Sequence, residues 1–541
     1  MTTEELGALI ASLKSKQRAK LDQADRVEKE LLLEFLCRVR GEKQAALSRL
    51  RSQLELLHSD IAAIERRLPP PPSPAVPRGS RSGEEEEEEE ARGGGASADM
   101  EADAAAARKR ARVHEAFGLL EERYFRTVGG RSGEERRSSL RVFTEELGKF
   151  TQYSLLRSRA TLRHGATRYG ADGVGGAGAA AAAAAAVAAG GSGGIGAAAA
   201  MGMDAASSHA SNIVSSIEFD VAAELVATAG MTKRIKIFNF LAVAADAAGP
   251  AASGGVHFPV RELVTREKLS CLSWNPYIRQ HIASSDYDGV VSEWDVSSST
   301  GVAVREYDEH ERRAWSVDYC SANPTLLASG SDDGRVKVWS TASPSSVLTI
   351  ENRANVCCVQ WSPASVHELA FGSADHAVRF YDLRAPRSPL YVFSEHHKAV
   401  SFVRFMSPTE LVSASTDSTL KLWSLKPGPA DTAGAGPGAS AKPGLVRTFR
   451  GHTNDKNFVG LSVTRDYMAC GSEDNTVYTY YKALPTPFLT HRFGSTDPVT
   501  GEETEESATG QQVSSVAWSP RSPKTLLAAS SQGIIKMLEL E

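Results

Sequence analysis

The chain has 541 residues, and 61 lysines and arginines against 66 aspartates and glutamates leave a formal net charge of −5 at pH 7. That balance excludes a general attraction to nucleic acid, so any charge-based recognition has to be local. Apolar residues nowhere run for the roughly 20 positions a bilayer span requires, and no basic and apolar leader precedes the six scattered cysteines, so these are expected to be reduced thiols of a cytosolic or nuclear protein with neither nucleic acid nor membrane as its partner.

Composition shifts along the chain predict one large folded unit behind a helical arm, rather than several domains. In the arm, residues 4–68, Leu47, Leu50, Leu54, Leu57, Ile61, Ile64 and Leu68 alternate spacings of three and four, with Leu33 and Leu36 in phase. That places them on one narrow seam of a helix, which has to be buried, so a coiled coil pairing with itself or with another chain through 33–68 is expected. An internal hairpin of 4–35 against 44–68 is the alternative. Four prolines at 69–72 stop the helix, and seven consecutive glutamates at 84–90 mark 69–107 as a disordered linker. Residues 108–155 read as a helical segment. Its basic clusters, Arg108, Lys109 and Arg110, then Arg136 and Arg137, fit a bipartite import signal for a nuclear protein that also shuttles to the cytoplasm; a solvated helix face is the alternative. The Ala/Gly stretch 170–206 offers nothing to build a core and is expected to be a disordered insertion.

From about residue 211 to the end, one pattern recurs seven times: a β-rich run, a small-residue turn usually holding Asp, then a segment closing on an aromatic or apolar residue. The closing segments are RIKIF (234–238), VVSEW (290–294), RVKVW (335–339), AVRFY (377–381), TLKLW (419–423), TVYTY (476–480) and IIKML (534–538). Such repeats predict an all-β, seven-bladed WD40 propeller over 156–541. Two long gaps, 427–443 and 495–511, read as surface-loop insertions. Asp288, Asp333, Asp375, Asp417 and Asp474 stand six residues before a closing aromatic, where each is expected to cap a tight turn, and Gly451-His452 is expected to be structural. The last blade offers only three strands, so its outer strand is expected from 156–164, closing the ring with both ends of the chain. No nucleophile and base stand at a motif spacing, no glycine loop precedes a helix, and no metal-ligand cluster is present, so neither a catalytic site nor a cofactor or metal is expected.

Particular strings carry a resemblance: SNIVSSIEFD (211–220), KLSCLSWN (268–275), HIASSDYDG (281–289), EHERRAWSVD (309–318), SGSDDGRVKVW (329–339), GSADH (372–376), SASTDSTLKLW (413–423), FRGHTNDKNFVGL (449–461), and in the N-terminal part LLLEFLCRVRGEKQ and FTQYSLLRSRATLRHG. These resemble the constitutive photomorphogenesis family of RING-type E3 ubiquitin ligases, nuclear proteins with a RING, a coiled coil and a WD40 propeller. The resemblance implies that the propeller binds partner peptides carrying Val-Pro behind acidic residues, through Lys268, Tyr287, Arg313, Trp315, His376, Lys398, Asp455 and Phe458. Tyr287, Trp315 and Phe458 suit an apolar slot for Val and Pro, and Lys268, Arg313 and Lys398 suit a basic rim for acidic flanks. Tyr381-Asp382-Leu383-Arg384 resembles the WDxR box that docks on the adaptor of cullin-type ligases. A RING needs paired short Cys/His spacings, and this sequence has no C-x-x-C. The expectation is therefore a substrate-recognition subunit serving light-signalling transcription factors and photoreceptors with related coiled-coil ligase subunits, or a RING-less scaffold or competitor that binds the same peptides without ubiquitin transfer.

Overall fold

The computed structural model describes residues 3–67, 104–164, 212–248, 256–426, 443–496, 503–504 and 510–541, apart from 105, 130, 132 and 299. Most of the expected linker, the Ala/Gly insertion and the loop at 427–442 lie outside the described residues. The chain divides into two units, Met1–Leu147 and Gly148–Glu541.

The first unit is helical. Helix α1, Thr3–Glu65, is continuous, so the alternative of an internal hairpin is not realised. Leu33, Leu36, Leu47, Leu50, Leu54, Ile61 and Ile64 are each about half exposed. Helices α2, Phe117–Val128, and α3, Gly133–Thr151, follow. Near the end of α1, Asp60 is buried, accepting the Tyr124 hydroxyl at 2.5 Å and pairing with Arg136 at 2.7 Å. Arg136 also donates to the Leu56 carbonyl, and Arg123 clamps Glu146 through two hydrogen bonds. Arg136 thus sits in a helix with its side chain engaged, while Arg108, Lys109, Arg110 and Arg137 are exposed.

The second unit is a seven-bladed propeller. Six blades are four-stranded antiparallel sheets, at 214–264, 269–307, 314–351, 356–393, 400–449 and 461–492, built of consecutive strands except that Val256–His257 intervenes in the first. Blade 7 takes three strands from 513–540 and its fourth from Leu156–Arg163. That strand runs antiparallel to Ile534–Leu540, with Leu156 opposite Leu540 and Arg163 opposite Ile534. The sheet edge left by a C-terminal strand is covered from 370 residues upstream, removing a free edge that would template aggregation. Leu162 is fully buried in this blade, and Arg159 pairs with Glu539 at 3.2 Å and with Glu541. A short parallel pair, Val256–His257, extends the same sheet outward. At 495–511 the described residues form only a two-stranded ladder, Ser495–Thr496 with Glu503–Thr504, and no further blade.

Innermost strands of neighbouring blades share no ladder, so their inward N–H groups need side-chain acceptors. Ser216 accepts from Leu272 N, Ser273 from Tyr319 N, Ser316 from Val359 N, Asp318 from Trp361 N, Gln360 from Phe405 N and Ser462 from Trp518 N. Ser514 closes the ring by donating to the Val214 carbonyl at 2.7 Å. Further out, the closing aromatics pack between sheets. In blades 3 and 5 this packing is tied to the turns by a hydrogen-bond chain. Trp339 donates to Ser329, which meets His310, which meets Asp333; Trp423, Ser413, His396 and Asp417 repeat the chain, every link between 2.7 and 2.9 Å.

Asp333, Asp375, Asp417 and Asp474 each accept the N–H two residues ahead in their turns. Asp288 does not: it is exposed, and Asp286 accepts the amides of Asp288 and Val290 instead. The DYDG turn offers two acidic residues, and the one that ends the strand has the geometry to cap. Gly451 adopts φ +134°, and His452 is buried with Nδ1 2.9 Å from the Tyr480 hydroxyl. None of the six cysteines forms a disulfide; Cys37 is exposed, Cys271 half-buried and the other four buried. Among the described residues no cluster of metal-ligating side chains is found, and no helix is long and apolar enough to cross a membrane.

Candidate functional site

The connection between one blade and the next and the turn between the second and third strands of a blade emerge on the same face of a propeller. Lys268, Arg313, Lys398, Asp455 and Phe458 stand on inter-blade connections. Trp315 is the second residue of an innermost strand, and Tyr287 and His376 stand on second-to-third-strand turns. All eight therefore share one face, which the topology decides.

Four of them meet at the mouth of the central channel. The rings of Tyr287 and Trp315 lie 5.8 Å apart at 60°, and Phe458, from the far side of the ring, lies 4.9 Å from Trp315. The Arg313 guanidinium sits 4.5 Å from the centre of the Tyr287 ring and 4.8 Å from that of Trp315. Cation–π contact with both holds it at the edge of the mouth, and Asp332 lies 3.9 Å from its Nε as an ion partner. Trp315 is aimed by Asp332, which accepts its Nε1 at 2.6 Å and is itself held by Asn355 at 2.9 Å. Burial pushes the Tyr287 phenol above its ordinary pKa, so at neutral pH it is a neutral donor. Beneath these rings lies a cavity of about 400 Å³, lined also by Phe402, Asn457, Cys358 and Arg404. That volume is in the range of sites for small ligands or a short peptide segment.

The other four lie around this mouth and are not all drawn together. Lys398 and Asp455 form an ion pair at 2.6 Å, both exposed, so an acidic ligand reaching Lys398 has to compete with Asp455. Exposed pairs of this kind are weak, about 0–1 kcal/mol, so the competition costs little. Lys268 contributes its carbonyl to the Tyr287 amide at 3.0 Å and leaves its side chain exposed. His376 is exposed at φ +70° and does not line the cavity.

The WDxR-like box lies on the opposite face, at the end of a third strand. Tyr381 is buried and stacks on Phe371 at 5.5 Å, so it is blade packing. Arg384 grips Asp382 through both carboxylate oxygens and holds its pKa below the usual carboxylate range. Sequence reasoning missed Asp332, Phe402 and Arg404. In the string SDDG the second Asp caps the turn and the first is free to orient Trp315, a division of labour the two letters alone do not show.

The WD domain, G-beta repeat family matches residues 301–340, 344–382, 387–424 and 443–480. The chain is 51% identical over 332 residues to E3 ubiquitin-protein ligase COP1 of Arabidopsis thaliana, covering 61% of this chain and 45% of that protein. It is 42% identical over 447 residues to E3 ubiquitin-protein ligase COP1 of Pisum sativum, 80% of this chain and 56% of that one. It thus spans about half the length of these curated relatives. WD repeat-containing protein RUP2 of Arabidopsis thaliana is 36% identical over 349 residues, which cover 61% of this chain and 88% of RUP2. The chain belongs to the COP1 family of WD40-repeat proteins.

Proposed function

We propose that this chain is the substrate-recognition subunit of a nuclear E3 ubiquitin ligase, holding Val-Pro-type peptides of transcription factors and photoreceptors so that they are ubiquitinated and degraded. The observation that carries the reading is the channel mouth, where Tyr287, Trp315 and Phe458 meet edge-on and tilted over a cavity of about 400 Å³, with the Arg313 guanidinium against two of the rings. Val and Pro have few backbone states to lose on docking, so aromatic walls recover most of their burial energy. The exposed cations Lys268 and Lys398 at the rim favour acidic flanks and make the encounter salt-dependent.

The half-exposed seam of α1 supports pairing with a second copy or with a related coiled-coil subunit. Asp382 and Arg384 are the residues left to meet a cullin-ligase adaptor. Nuclear import would draw on Arg108, Lys109, Arg110 and Arg137, and on Arg136 only once its pair with Asp60 opens; shuttling to the cytoplasm completes this reading. The test is titration of a labelled acidic Val-Pro peptide into the full chain, beside Trp315→Ala and an Ala-Ala peptide. Micromolar or tighter binding lost in both controls supports the reading, and no binding by a folded wild type overturns it.

A second reading has its own observation, the match to WD repeat-containing protein RUP2 over 88% of that protein's length. In that reading the chain is a scaffold or competitor that occupies the same peptides without delivering ubiquitin. Adding the chain to a reconstituted ligase separates the two: a substrate-recognition subunit increases ubiquitination of a bound substrate, whereas a competitor decreases it.

A further inference from the structure

Below the aromatic mouth the channel narrows to a waist shared by two cavities, one of about 400 Å³ towards the mouth and one of about 410 Å³ towards the opposite face. Arg404, on the innermost strand of blade 5, lines both. Among the described residues its Nη1 donates to Cys358 Sγ at 3.2 Å and to the Val403 carbonyl at 2.9 Å. Among the described residues its Nε and Nη2 meet no hydrogen-bond acceptor, and it forms no ion pair. A guanidinium offers five N–H donors in a rigid fork that matches a carboxylate or phosphate. A half-buried arginine with most of the fork vacant is an unusual thing for a channel to keep.

The titratable groups facing Arg404 come from four blades: Glu218 from blade 1, Cys271 from blade 2, Asp318 from blade 3 and Cys358 from blade 4. Blades 6 and 7 present Leu461 and Val516 at the waist, and Phe402 of its own strand lies 5.6 Å from the guanidinium. Neither facing carboxylate is close enough to pair with Arg404, and Asp318 is committed to the Trp361 amide at 2.8 Å. Burial pushes Glu218 up to about 8 and Asp318 up to about 7, and Cys271 up to about 11. Near neutral pH the waist therefore carries the arginine's charge with incomplete compensation, in a narrow space where water screens poorly.

We propose that the waist of the channel is an oxyanion site, in which the Arg404 guanidinium holds a carboxylate or phosphate group carried either by the segment seated at the aromatic mouth or by a free small anion. Only the first of these sources rests on the peptide-binding reading above. Because Glu218 and Asp318 lose their protons as pH rises towards 8, they come to compensate Arg404 themselves, and the site releases its anion.

Sulfate is the probe, because it does not titrate over the range used. Calorimetry of sulfate binding to the full chain at pH 6 and pH 8.5 is expected to give one site, about tenfold tighter at pH 6. The double variant Glu218→Gln/Asp318→Asn, which keeps the hydrogen-bonding shape and the arginine, is expected to bind at pH 8.5 as tightly as the wild type does at pH 6. Arg404→Gln is expected to abolish binding. Absence of sulfate binding to the folded double variant, or binding that survives Arg404→Gln, overturns the proposal. The source follows from a second titration with an acidic Val-Pro peptide: competition with sulfate assigns the site to the peptide, and simultaneous binding assigns it to a free anion. Sulfate binding without peptide binding leaves the waist site standing and overturns the mouth reading alone.

Discussion

Phe458 and Trp315 lie with ring centroids 4.9 Å apart, although they are 143 positions apart in sequence and enter blades 6 and 3, on opposite sides of the channel. One aromatic pair therefore spans the mouth, and Trp315 is the shared ring between Phe458 and Tyr287. Trp315→Ala is expected to weaken binding of an acidic Val-Pro peptide by at least about 30-fold, the loss of roughly 2 kcal/mol typical of an aromatic hot spot. Its melting temperature should stay close to the wild type, because the indole is only half-buried. Fluorescence anisotropy and a thermal scan of the same samples check both halves.

The closing strand makes a prediction about stability. Leu162 is fully buried in blade 7, so Leu162→Ala is expected to cost about 2–5 kcal/mol, like other core truncations. Deletion of 1–164, which takes the whole strand, should leave the edge of Ile534–Leu540 open, and the product should aggregate. Deletion of 1–147 removes only the first unit and should leave cooperative unfolding of the propeller intact. Denaturant unfolding of the three proteins decides this.

Two aspartates at equivalent repeat positions should behave differently. Asp417 accepts from His396 Nδ1 and from the amides of His397 and Thr419, so Asp417→Ala leaves a buried imidazole unsatisfied at an expected cost of about 2–3 kcal/mol. Asp288 is exposed and caps nothing, so Asp288→Ala is expected to change stability by less than about 0.5 kcal/mol. Urea midpoints of the two variants are the measurement, and similar values would remove the distinction between Asp286 and Asp288 as the turn cap.

Stability is expected to fall on the acid side because of buried histidines. Burial, with Lys236 adding to it, pushes His164 down to about 3, and burial pushes His452 down to about 4. Near pH 6.5 the unfolded chain takes up these protons and the folded chain does not. The contribution is therefore whole above pH 6.5 and is lost as pH falls through the window down to 3–4. His452→Gln should flatten the urea midpoint between pH 6.5 and 4.

The channel carboxylates act in the opposite sense. Glu218 ionises near 4.5 in the unfolded chain but only near 8 in the folded one, so the folded state holds the extra proton between those values. Stability from this source falls as pH rises from 4.5 to 8. Glu218→Gln removes the titration and is expected to stabilise the propeller at pH 8 relative to the wild type, with little difference at pH 4.5. Denaturation at the two pH values tests the sign.

Repeats were legible in the sequence because most blades solve the same local problem with the same letters: a strand, an Asp turn that caps its own amides, and an aromatic wedge between sheets. The α1 seam was legible for a similar reason, since spacings of three and four name one helical face without any neighbour. The Asp286 cap was not legible, because both acidic residues of DYDG fit a turn and only backbone geometry chooses between them. Nor was the tie between Arg136 and Asp60, which are 76 positions apart, so that a cluster written as basic and exposed has one member engaged.

By itself, then, the sequence determined the number of blades, the caps at Asp333, Asp375, Asp417 and Asp474 and the need for an outside strand in the last sheet, since these follow from interactions within some fifty residues. Only the tertiary structure decided that Phe458 reaches Trp315, that Asp332 aims the indole, and that Arg404 faces Glu218 and Asp318 across a narrow channel. The first and last of those pairings join different blades across a closed ring, and the second joins a strand to a turn of its own blade. The angle and depth at which the blades meet come from packing and closure, and no local spacing encodes them.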